Sequence, residues 1–187
     1  LYANSALEIE AALEQVRQDR EKQSRPESVE PGRKVAAGVL KAAAEEYDAE
    51  SGGFGEQAKF PLPDLLKLLM VSQLAGDKEA EKMLVTTLDS MAAGDIRDRL
   101  DGGFFRYATR PDWSEPHYEK LLEENALLMS VYADAYLLTG IEGYGGVVGD
   151  IYRYLTTRLL EPRNGANRGS QDAHPGNYPL AAEGRRR

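Results

Sequence analysis

The 187-residue chain has no cysteine, only two histidines and a single tryptophan. Without cysteine this segment can form neither a disulfide nor a thiolate metal site, and it can carry out no thiol redox chemistry. The two histidines, His117 and His174, are too few for a histidine-rich metal site. The sequence therefore predicts that the chain binds no metal.

Basic residues and long apolar runs are also scarce. The chain has 23 Lys and Arg against 31 Asp and Glu, which gives a formal net charge of −8. A protein that tracks nucleic-acid phosphates would be basic, so we expect no nucleic-acid partner. No apolar run approaches the roughly 20 residues that span a bilayer, and no signal peptide opens the sequence. We expect no membrane partner and a cytoplasmic location.

Glycine, in contrast, is frequent, with 18 residues, and five of them form two similar motifs. Gly52-Gly53-Phe54-Gly55 and Gly102-Gly103-Phe104-Phe105 lie 50 residues apart, each after a helical stretch. We call them the first and second glycine corners. Glycine supplies the left-handed backbone that ends a helix, and the following aromatic side chain can fix the turn to the core. Recurrence at this interval indicates repeated helical hairpins, with functional groups where the corners converge.

The apolar periodicity predicts an all-α fold of successive antiparallel hairpins that form part of an α/α toroid. We expect helices over 3–23, 33–48, 63–76, 78–93, 116–139 and 142–160, and any strand within 100–113. Three regions follow: an N-terminal helix and linker over 1–31, a partial toroid over 32–161 and a polar tail over 162–187. The hairpins are too few to close a toroid, so the sequence reads as a fragment.

The densest group of candidate functional residues lies between Asp98 and Asn125, on a loop that leads into a predicted helix. His117 would lie in the first turn of that helix, where the helix dipole favours a neutral imidazole that can accept a proton. The structural alternative is that His117 packs beside Trp113 and donates a hydrogen bond to a backbone carbonyl.

Carboxylates suggest a second kind of chemistry. Glycoside hydrolysis needs two carboxyl groups about 5–10 Å apart, one acting as acid and one as base or nucleophile. The catalytic candidates of this kind are Glu119, Asp101 and Asp172, with Asp98 nearby. The alternative for Glu119 is that it only complements the helix dipole.

Several polar and aromatic residues suit a carbohydrate ligand. An aromatic face can contact the apolar face of a sugar ring, and arginine can bind hydroxyl or anionic groups. The substrate-binding candidates are Lys59, Arg106, Tyr107, Trp113, Asn125 and Gln171. The alternative is that Tyr107 and Trp113 are core anchors, that Lys59 is solvated and that Gln171 belongs to a turn. The glycine corners follow helices rather than strands, so they do not match phosphate-binding loops, and we expect no cofactor.

The ordered motifs resemble one protein family. They are the two glycine corners, Lys59-Phe60-Pro61, Arg106-Tyr107, Trp113, the run Pro116-His117-Tyr118-Glu119-Lys120-Leu121-Leu122, and Asn125-Ala126. Together they resemble the spermatogenesis-associated, thioredoxin-domain-containing proteins, which include the bacterial YyaL proteins. Gly165 with Ser170-Gln171-Asp172-Ala173 resembles a third, decayed corner. The resemblance implies a six-hairpin toroid, similar to those of glycosidases and N-acylglucosamine 2-epimerases, joined to an N-terminal thioredoxin-like domain.

Some positions depart from the family pattern. Asp95, Arg99 and Asp101 stand where the family tends to have Gly, His and Gly. Glu123-Glu124 replaces a Tyr-Asp pair, and Asn167-Arg168 replaces the aromatic pair of the third corner. The Cys-x-x-Cys motif of the thioredoxin-like domain is absent from this segment.

Two classes of function follow. The first is a carbohydrate-active toroid that epimerises a sugar or hydrolyses a glycosidic bond. In the epimerase, His117 moves a proton and Arg106 or Lys59 stabilises the enolate. In the glycosidase, Glu119 pairs with Asp101 or Asp172. The second class is a non-catalytic module that docks the thioredoxin-like domain or another protein. A prenyltransferase-like toroid also uses such corners, but the missing cysteines count against its zinc site.

Overall fold

The computed structural model describes residues 30–173. The predicted helix at 3–23, most of the polar tail and His174 lie outside this range. The helices are α1 (Glu30–Glu46), α2 (Pro63–Leu74), α3 (Lys78–Ala93), α4 (Leu122–Thr139) and α5 (Glu142–Tyr154), which continues into a π-helical turn at Leu155–Leu159. The all-α prediction is confirmed, because the only strands among the described residues are two residues long.

Four short strands lie in the segments outside the helices. They are β1 (Tyr107–Ala108), β2 (Pro116–His117), β3 (Lys120–Leu121) and β4 (Ser170–Gln171). Strand β1 pairs antiparallel with β2, and β3 pairs antiparallel with β4. The expectation that strands stay within 100–113 holds for β1 and is wrong for the other three.

The chain divides into two units, with the boundary between Val39 and Leu40. In the first unit, the described residues form only the beginning of α1. Val35 and Val39, on this part of the helix, are exposed. The remaining paragraphs concern the second unit.

Local signals fix the ends of several helices. Asp77 caps α3, since its Oδ1 accepts hydrogen bonds from the backbone N–H groups of Glu79 and Ala80 at 3.0 and 3.1 Å. Pro63 stands at the start of α2, and Gly140 ends α4 in the left-handed conformation. Helices α2, α3 and α5 with its π-turn lie within about two residues of their predicted ranges.

The predicted start of α4 is wrong. The helix begins at Leu122 instead of residue 116, and no side chain caps it. Residues 116–121 instead form β2 and β3, because neighbouring segments of the chain take up their backbone hydrogen bonds. His117 and Glu119 are therefore not in the first turn of a helix, and the dipole argument made for them does not apply.

The core lies between two helical hairpins. Helix α2 packs on α3, α4 packs on α5, and α2 also contacts α4. The hairpins bury apolar side chains that include Leu66, Leu69, Leu84, Leu88, Leu128, Val131 and Ile151. Within this core the Tyr132 hydroxyl donates to the Leu88 carbonyl at 2.8 Å, whereas the buried Tyr154 hydroxyl has no hydrogen-bond partner among the described residues. Among the described residues, no helix combines the length and apolar character needed to cross a membrane.

Candidate functional site

The two glycine corners share one backbone arrangement. In the first, the Gly52 N–H donates to the Asp48 carbonyl at 2.9 Å, and the Asp48 N–H donates to the Gly53 carbonyl at 3.0 Å. In the second, Asp98 takes the place of Asp48, and the corresponding distances to Gly102 and Gly103 are 3.0 and 2.9 Å. All four glycines have a positive φ, which side chains with a Cβ rarely adopt.

A buried lysine closes each corner. The Lys59 ammonium donates to Asp48 Oδ2 at 3.0 Å and to the Gly55 carbonyl at 2.6 Å. The Lys120 ammonium donates to Asp98 Oδ2 at 2.6 Å and to the Gly102 carbonyl at 2.7 Å. We call each of these arrangements a lysine clasp.

The clasps change the interpretation of both lysines. Both side chains are fully buried. The structure therefore does not support Lys59 as a substrate-binding residue, since its charge is directed into the first corner. The spacing of Lys120 and Glu124, four residues apart, is typical of a surface ion pair on a helix, but the Lys120 ammonium lies in the second clasp instead. Burial lowers the pKa of Lys120, and the bond to Asp98 opposes this effect.

The decayed third corner keeps the backbone of the other two. The Gly165 N–H donates to the Glu161 carbonyl at 2.9 Å, and the Glu161 N–H donates to the Ala166 carbonyl at 2.7 Å. In place of a lysine clasp, the Arg168 guanidinium pairs with the Glu161 carboxylate at 3.0 Å near the surface.

The segments that follow the three corners lie side by side. Lys59 and Ala108 exchange two backbone hydrogen bonds of 2.9 Å, and Tyr107 is in register with His117. The Arg106 N–H donates to the Glu119 carbonyl at 2.8 Å, and Lys120 is in register with Gln171. These pairings place side chains from distant parts of the sequence on one surface.

Three aromatic rings stack on this surface. The Tyr107 and His117 rings are 4.9 Å apart and inclined by 9°, and the Phe60 and Tyr107 rings are 5.0 Å apart and inclined by 23°. Phe60 is 44% exposed, and the sequence analysis did not name it as a candidate ligand-binding residue. Its position directly after Lys59, in a segment that follows a corner, was the signal that could have identified it.

A charged pair lies beside the rings. Arg106 Nη1 is 3.0 Å from Glu119 Oε2, and His117 Nδ1 is 4.0 Å from the same carboxylate oxygen. The His117 Nδ1 atom is buried and has no hydrogen-bond partner within the described part of the chain. We refer to Phe60, Arg106, Tyr107, His117 and Glu119 together as the corner face.

Glu124 adds a second carboxyl group near this face. It is half-buried in the first turn of α4. Burial raises its pKa to about 7, with Arg106 lowering it and the Glu119 charge raising it further. The sequence interpretation missed this residue because its spacing from Lys120 is typical of an ordinary surface pair.

Three other candidates have structural roles away from the corner face. Trp113 is 1% exposed, and its indole N–H donates to the Ser51 carbonyl at 2.9 Å, so the structure does not support it as a sugar-stacking residue. Asn125 is buried, donates to the Phe104 and Leu121 carbonyls and accepts from the Phe104 N–H. Asp101 forms an ion pair with Arg158.

The two late candidates lie on or next to strand β4. Gln171 has a buried Oε1 atom without a hydrogen-bond partner in the described residues, and Asp172 follows it at an exposed position. Within residues 30–173, no group of three or more carboxylate and imidazole side chains is arranged to hold a metal ion.

Solved structures with a similar fold include sugar-converting enzymes. A sugar epimerase from a ruminal bacterium matches with a TM-score of 0.63 at 13% identity, covering 72% of this chain and 37% of that protein. The cellobiose 2-epimerase of Spirochaeta thermophila matches at 0.63 and 16% identity, over 79% and 42%. A D-mannose isomerase matches at 0.64 and 12% identity, over 80% and 42%. The described helices therefore form part of an α/α toroid.

Sequence relatives identify the family. No family model matches the chain. Spermatogenesis-associated protein 20 from mouse and from human is each 40% identical over 134 residues, which is 69% of this chain and 17% of the relative. An uncharacterized protein of Caenorhabditis elegans is 35% identical over 135 residues. The chain thus spans about a sixth of the length of these curated relatives. Over the matched residues it is a homologue of spermatogenesis-associated protein 20, which confirms the family indicated by its glycine corners.

Proposed function

We propose that the corner face is part of a sugar-binding cleft in which a proton is moved at a carbon next to a sugar carbonyl. The observation that carries this proposal is the Tyr107–His117 ring stack beside the Arg106–Glu119 ion pair. The solved structures with this fold are named as sugar epimerases and an isomerase, which supports the same class of reaction.

The aromatic rings would form the apolar side of the cleft. Phe60 stacks on Tyr107 and leaves much of its own surface exposed, so it is available to the C–H face of a sugar ring. The half-exposed guanidinium of Arg106 has several donors for hydroxyl or carbonyl oxygens. In this proposal, Tyr107 keeps the sugar-binding role that the sequence predicted for it, and Phe60 takes the role predicted for Trp113.

His117 would move the proton. Its ring is partly exposed, and its buried Nδ1 atom has no bond that fixes a proton on it within the described residues. A positioned imidazole can take a proton from carbon and return it. Arg106 would stabilise the negative charge that develops on the sugar oxygen.

The structure gives less support to glycoside hydrolysis. That reaction needs Glu119 to work with a second carboxyl group at a suitable distance. Asp101, one of the two expected partners, is instead paired with Arg158. Asp172 is the other expected partner, and it lies beside strand β4 at an exposed position. The epimerase or isomerase proposal is preferred because it uses the stacked His117 and the Arg106–Glu119 pair directly.

The non-catalytic alternative also has one observation in its favour. Several apolar side chains of α2 and α4 are exposed, and Leu137 reaches 81%. Exposed apolar side chains can contact another protein surface. In the full-length relatives, the family resemblance supports a thioredoxin-like domain as that partner.

Sugar binding tests the proposal directly. Saturation-transfer NMR with D-mannose and cellobiose should show binding to the chain. Arg106→Ala and His117→Ala should each weaken binding at least about tenfold, whereas Arg163→Ala, which removes an exposed arginine that is not part of the corner face, should not. The proposal would be contradicted if the wild-type chain bound neither sugar. It would also be contradicted if Arg106→Ala and His117→Ala bound the sugars as well as Arg163→Ala does, and either result would favour the docking alternative.

A further inference from the structure

The imidazole of His117 is held in a fixed plane. Its ring lies nearly parallel to that of Tyr107, with the ring centres 4.9 Å apart and the planes inclined by 9°. The two residues are also in register between β1 and β2, so the backbone that carries the rings is paired as well. Stacking fixes the plane of an imidazole but not which of its two nitrogens carries the proton. That choice depends on the hydrogen-bond partner of each nitrogen.

The two nitrogens of this ring have different surroundings. Nδ1 is buried and neither donates nor accepts a hydrogen bond within residues 30–173. The His117 side chain as a whole is 39% exposed, so its accessible surface belongs to the other ring atoms, and Nε2 is the nitrogen that can face a ligand. A buried nitrogen without a partner is costly, and an acceptor for an Nδ1–H group would remove this cost.

Glu119 supplies such an acceptor. Its Oε2 atom lies 4.0 Å from His117 Nδ1, which is about 1 Å longer than a hydrogen bond. The same oxygen is 3.0 Å from Arg106 Nη1. One carboxylate oxygen thus lies between a guanidinium that binds it and an imidazole that needs it. The Arg106 side chain is 49% exposed, so it can leave this pair for a ligand oxygen without crossing the core.

We propose that Glu119 is a positioning residue for His117, and that it accepts a hydrogen bond from Nδ1–H when Arg106 turns from Glu119 to the sugar oxygen. The bond keeps one proton on Nδ1 and leaves the lone pair of Nε2 directed at the sugar. This inference rests on the proposed function and deepens it, since it couples sugar binding to the orientation of the base. It also gives Glu119 a different role from the acid or nucleophile of a glycosidase.

The charges balance throughout the step. The C–H bond next to the sugar carbonyl breaks, its proton passes to His117 Nε2, and its electron pair forms a carbon–carbon double bond as the carbonyl oxygen becomes negative. The Arg106–Glu119 pair is replaced by two pairs, the enolate with Arg106 and the imidazolium with Glu119. Return of the proton from Nε2 to carbon restores the first pair. Each charge that forms thus meets an opposite charge already present on the corner face.

Glu115 provides a matched control in the same segment of the chain. Its carboxylate forms an ion pair with Arg110, with Arg110 Nε 3.1 Å from Glu115 Oε2, and both side chains are largely exposed. Glu115→Ala therefore removes one carboxylate from an arginine pair close to His117 in the sequence and leaves the Arg106–Glu119 pair in place.

The tautomer of His117 tests the contact without any sugar. The chain has two histidines, so His174→Gln leaves a single set of imidazole signals, and long-range 15N–1H NMR assigns their tautomer. In this background the Nδ1–H form of the neutral imidazole should predominate, and Glu119→Ala should convert it to the Nε2–H form. Glu115→Ala should leave the tautomer unchanged. A predominant Nε2–H form in the parent, or a tautomer that Glu119→Ala does not change, would overturn the inference.

Removal of the competing guanidinium tests the exchange of partners. Arg106→Ala should let Glu119 bind His117 in the absence of sugar, so the Nδ1–H proton should exchange more slowly with water than in the parent. Addition of D-mannose to the parent should have the same effect. An Nδ1–H proton that exchanges equally fast in Arg106→Ala and the parent would overturn the coupling between Arg106 and His117.

Deuterium exchange separates positioning from a merely structural role. In D2O the wild-type chain should incorporate deuterium at C2 of D-mannose, and Glu119→Ala should slow this exchange at saturating sugar at least about tenfold. D-mannose should bind Glu119→Ala at least as tightly as wild type, because Arg106 is then free for the sugar. If Glu119 only holds Arg106 in place, binding should weaken as well, and this result would overturn the inference.

Failure of the proposed function has a different signature. Absence of both D-mannose binding and deuterium exchange in the wild-type chain would refute the proposed function. The tautomer measurement needs no sugar, so it would still decide whether Glu119 positions His117.

Discussion

The first and second glycine corners use the same backbone and the same lysine clasp, but they close different lengths of chain. In the first, Lys59 lies 11 residues after Asp48, so the clasp closes a short loop. In the second, Lys120 lies 22 residues after Asp98 and returns from a long excursion. That excursion carries Arg106, Tyr107, His117 and Glu119. In the first corner the clasp thus stabilises only the turn. In the second corner the same kind of clasp also holds the two ends of the segment that carries the candidate site.

The two clasps also differ in their exposure to water. Asp48 is 23% exposed at its side chain, whereas Asp98 is 8% exposed. The Lys120 ammonium lies 4.4 Å from the centre of the Tyr154 ring and 4.9 Å from that of Phe105. The second clasp is therefore the more deeply buried, and we expect its loss to be the more damaging.

The largest expected effect comes from removing the clasp lysines. Lys120→Met should lower the free energy of unfolding by about 3–5 kcal/mol, because it leaves the Asp98 carboxylate buried without its partner. Lys59→Met should cost less, about 1–3 kcal/mol, because water can reach Asp48. Urea unfolding of both variants measures the difference. Equal losses, or a larger loss at Lys59, would contradict the comparison.

The next effect concerns the glycines of the corners. A Cβ at Gly103 would lie 2.7 Å from the Tyr154 ring and 2.8 Å from Asn125 Oδ1, in addition to requiring a φ of +75°. At Gly55 the φ is +84°, but nothing lies within 4 Å of the added Cβ. Gly55→Ala should therefore cost about 1–2 kcal/mol from backbone strain alone. Gly103→Ala should cost clearly more, because it adds steric overlap to the backbone strain. Thermal unfolding of the two variants measures the difference. A larger loss of stability for Gly55→Ala than for Gly103→Ala would contradict this prediction.

The third prediction concerns the pH dependence that Glu124 adds beside the second corner. Its pKa is raised in the folded state from 4.5 to about 7, so the folded protein binds more protons than the unfolded chain between these values. Stability contributed by this group is present below about pH 4.5 and is lost as pH rises towards 7. Glu124→Gln should consequently be more stable than wild type at pH 8, by on the order of 2 kcal/mol.

Urea unfolding at pH 4.5 and pH 8 measures this effect. The advantage of Glu124→Gln should largely disappear at pH 4.5, where Glu124 is protonated in the folded state and about half protonated in the unfolded chain. Glu123→Gln, at the exposed neighbouring position, should show little difference between the two pH values. A pH-independent advantage would contradict the assigned environment of Glu124.

The smallest effect is expected at the third corner. Arg168 and Glu161 form a largely exposed pair, and such pairs contribute about 0–1 kcal/mol. Arg168→Ala should therefore change stability far less than either lysine variant, and the change should shrink further at 1 M salt. A loss as large as that of Lys59→Met would show that the arginine pair has the same weight as a buried clasp.

Local features of the sequence predicted much of the fold. Asp77 marks the start of α3, Pro63 marks the start of α2, and the paired glycines require a turn, because each depends only on neighbouring backbone. The start of α4 could not be predicted in this way. Residues 116–121 have helical periodicity, but segments around Tyr107 and Gln171 pair with them instead.

The site was predictable only in part, for a related reason. Charged and aromatic residues close together in sequence drew attention to Arg106, Tyr107, His117 and Glu119, and the structure brings these four side chains together. Lysines are almost never fully buried unless they are paired, so nothing local indicated that Lys59 points inwards. Trp113 packs in the core in the space left by Gly53 and Gly94, which are distant from it in the sequence. A Cβ at either glycine would lie 2.6 Å from a Trp113 atom, which is too close for a normal contact.

The most direct test of the account is a map of where a sugar binds along the two corners. Addition of D-mannose to isotope-labelled chain should shift the backbone and ring resonances of Tyr107, His117 and Glu119, on the excursion that the Lys120 clasp closes. Resonances of Gly52 and Gly53, in the corner with the local clasp, should stay unchanged. Shifts confined to the first corner, or no shifts at any sugar concentration, would contradict the claim that the second corner holds a sugar site.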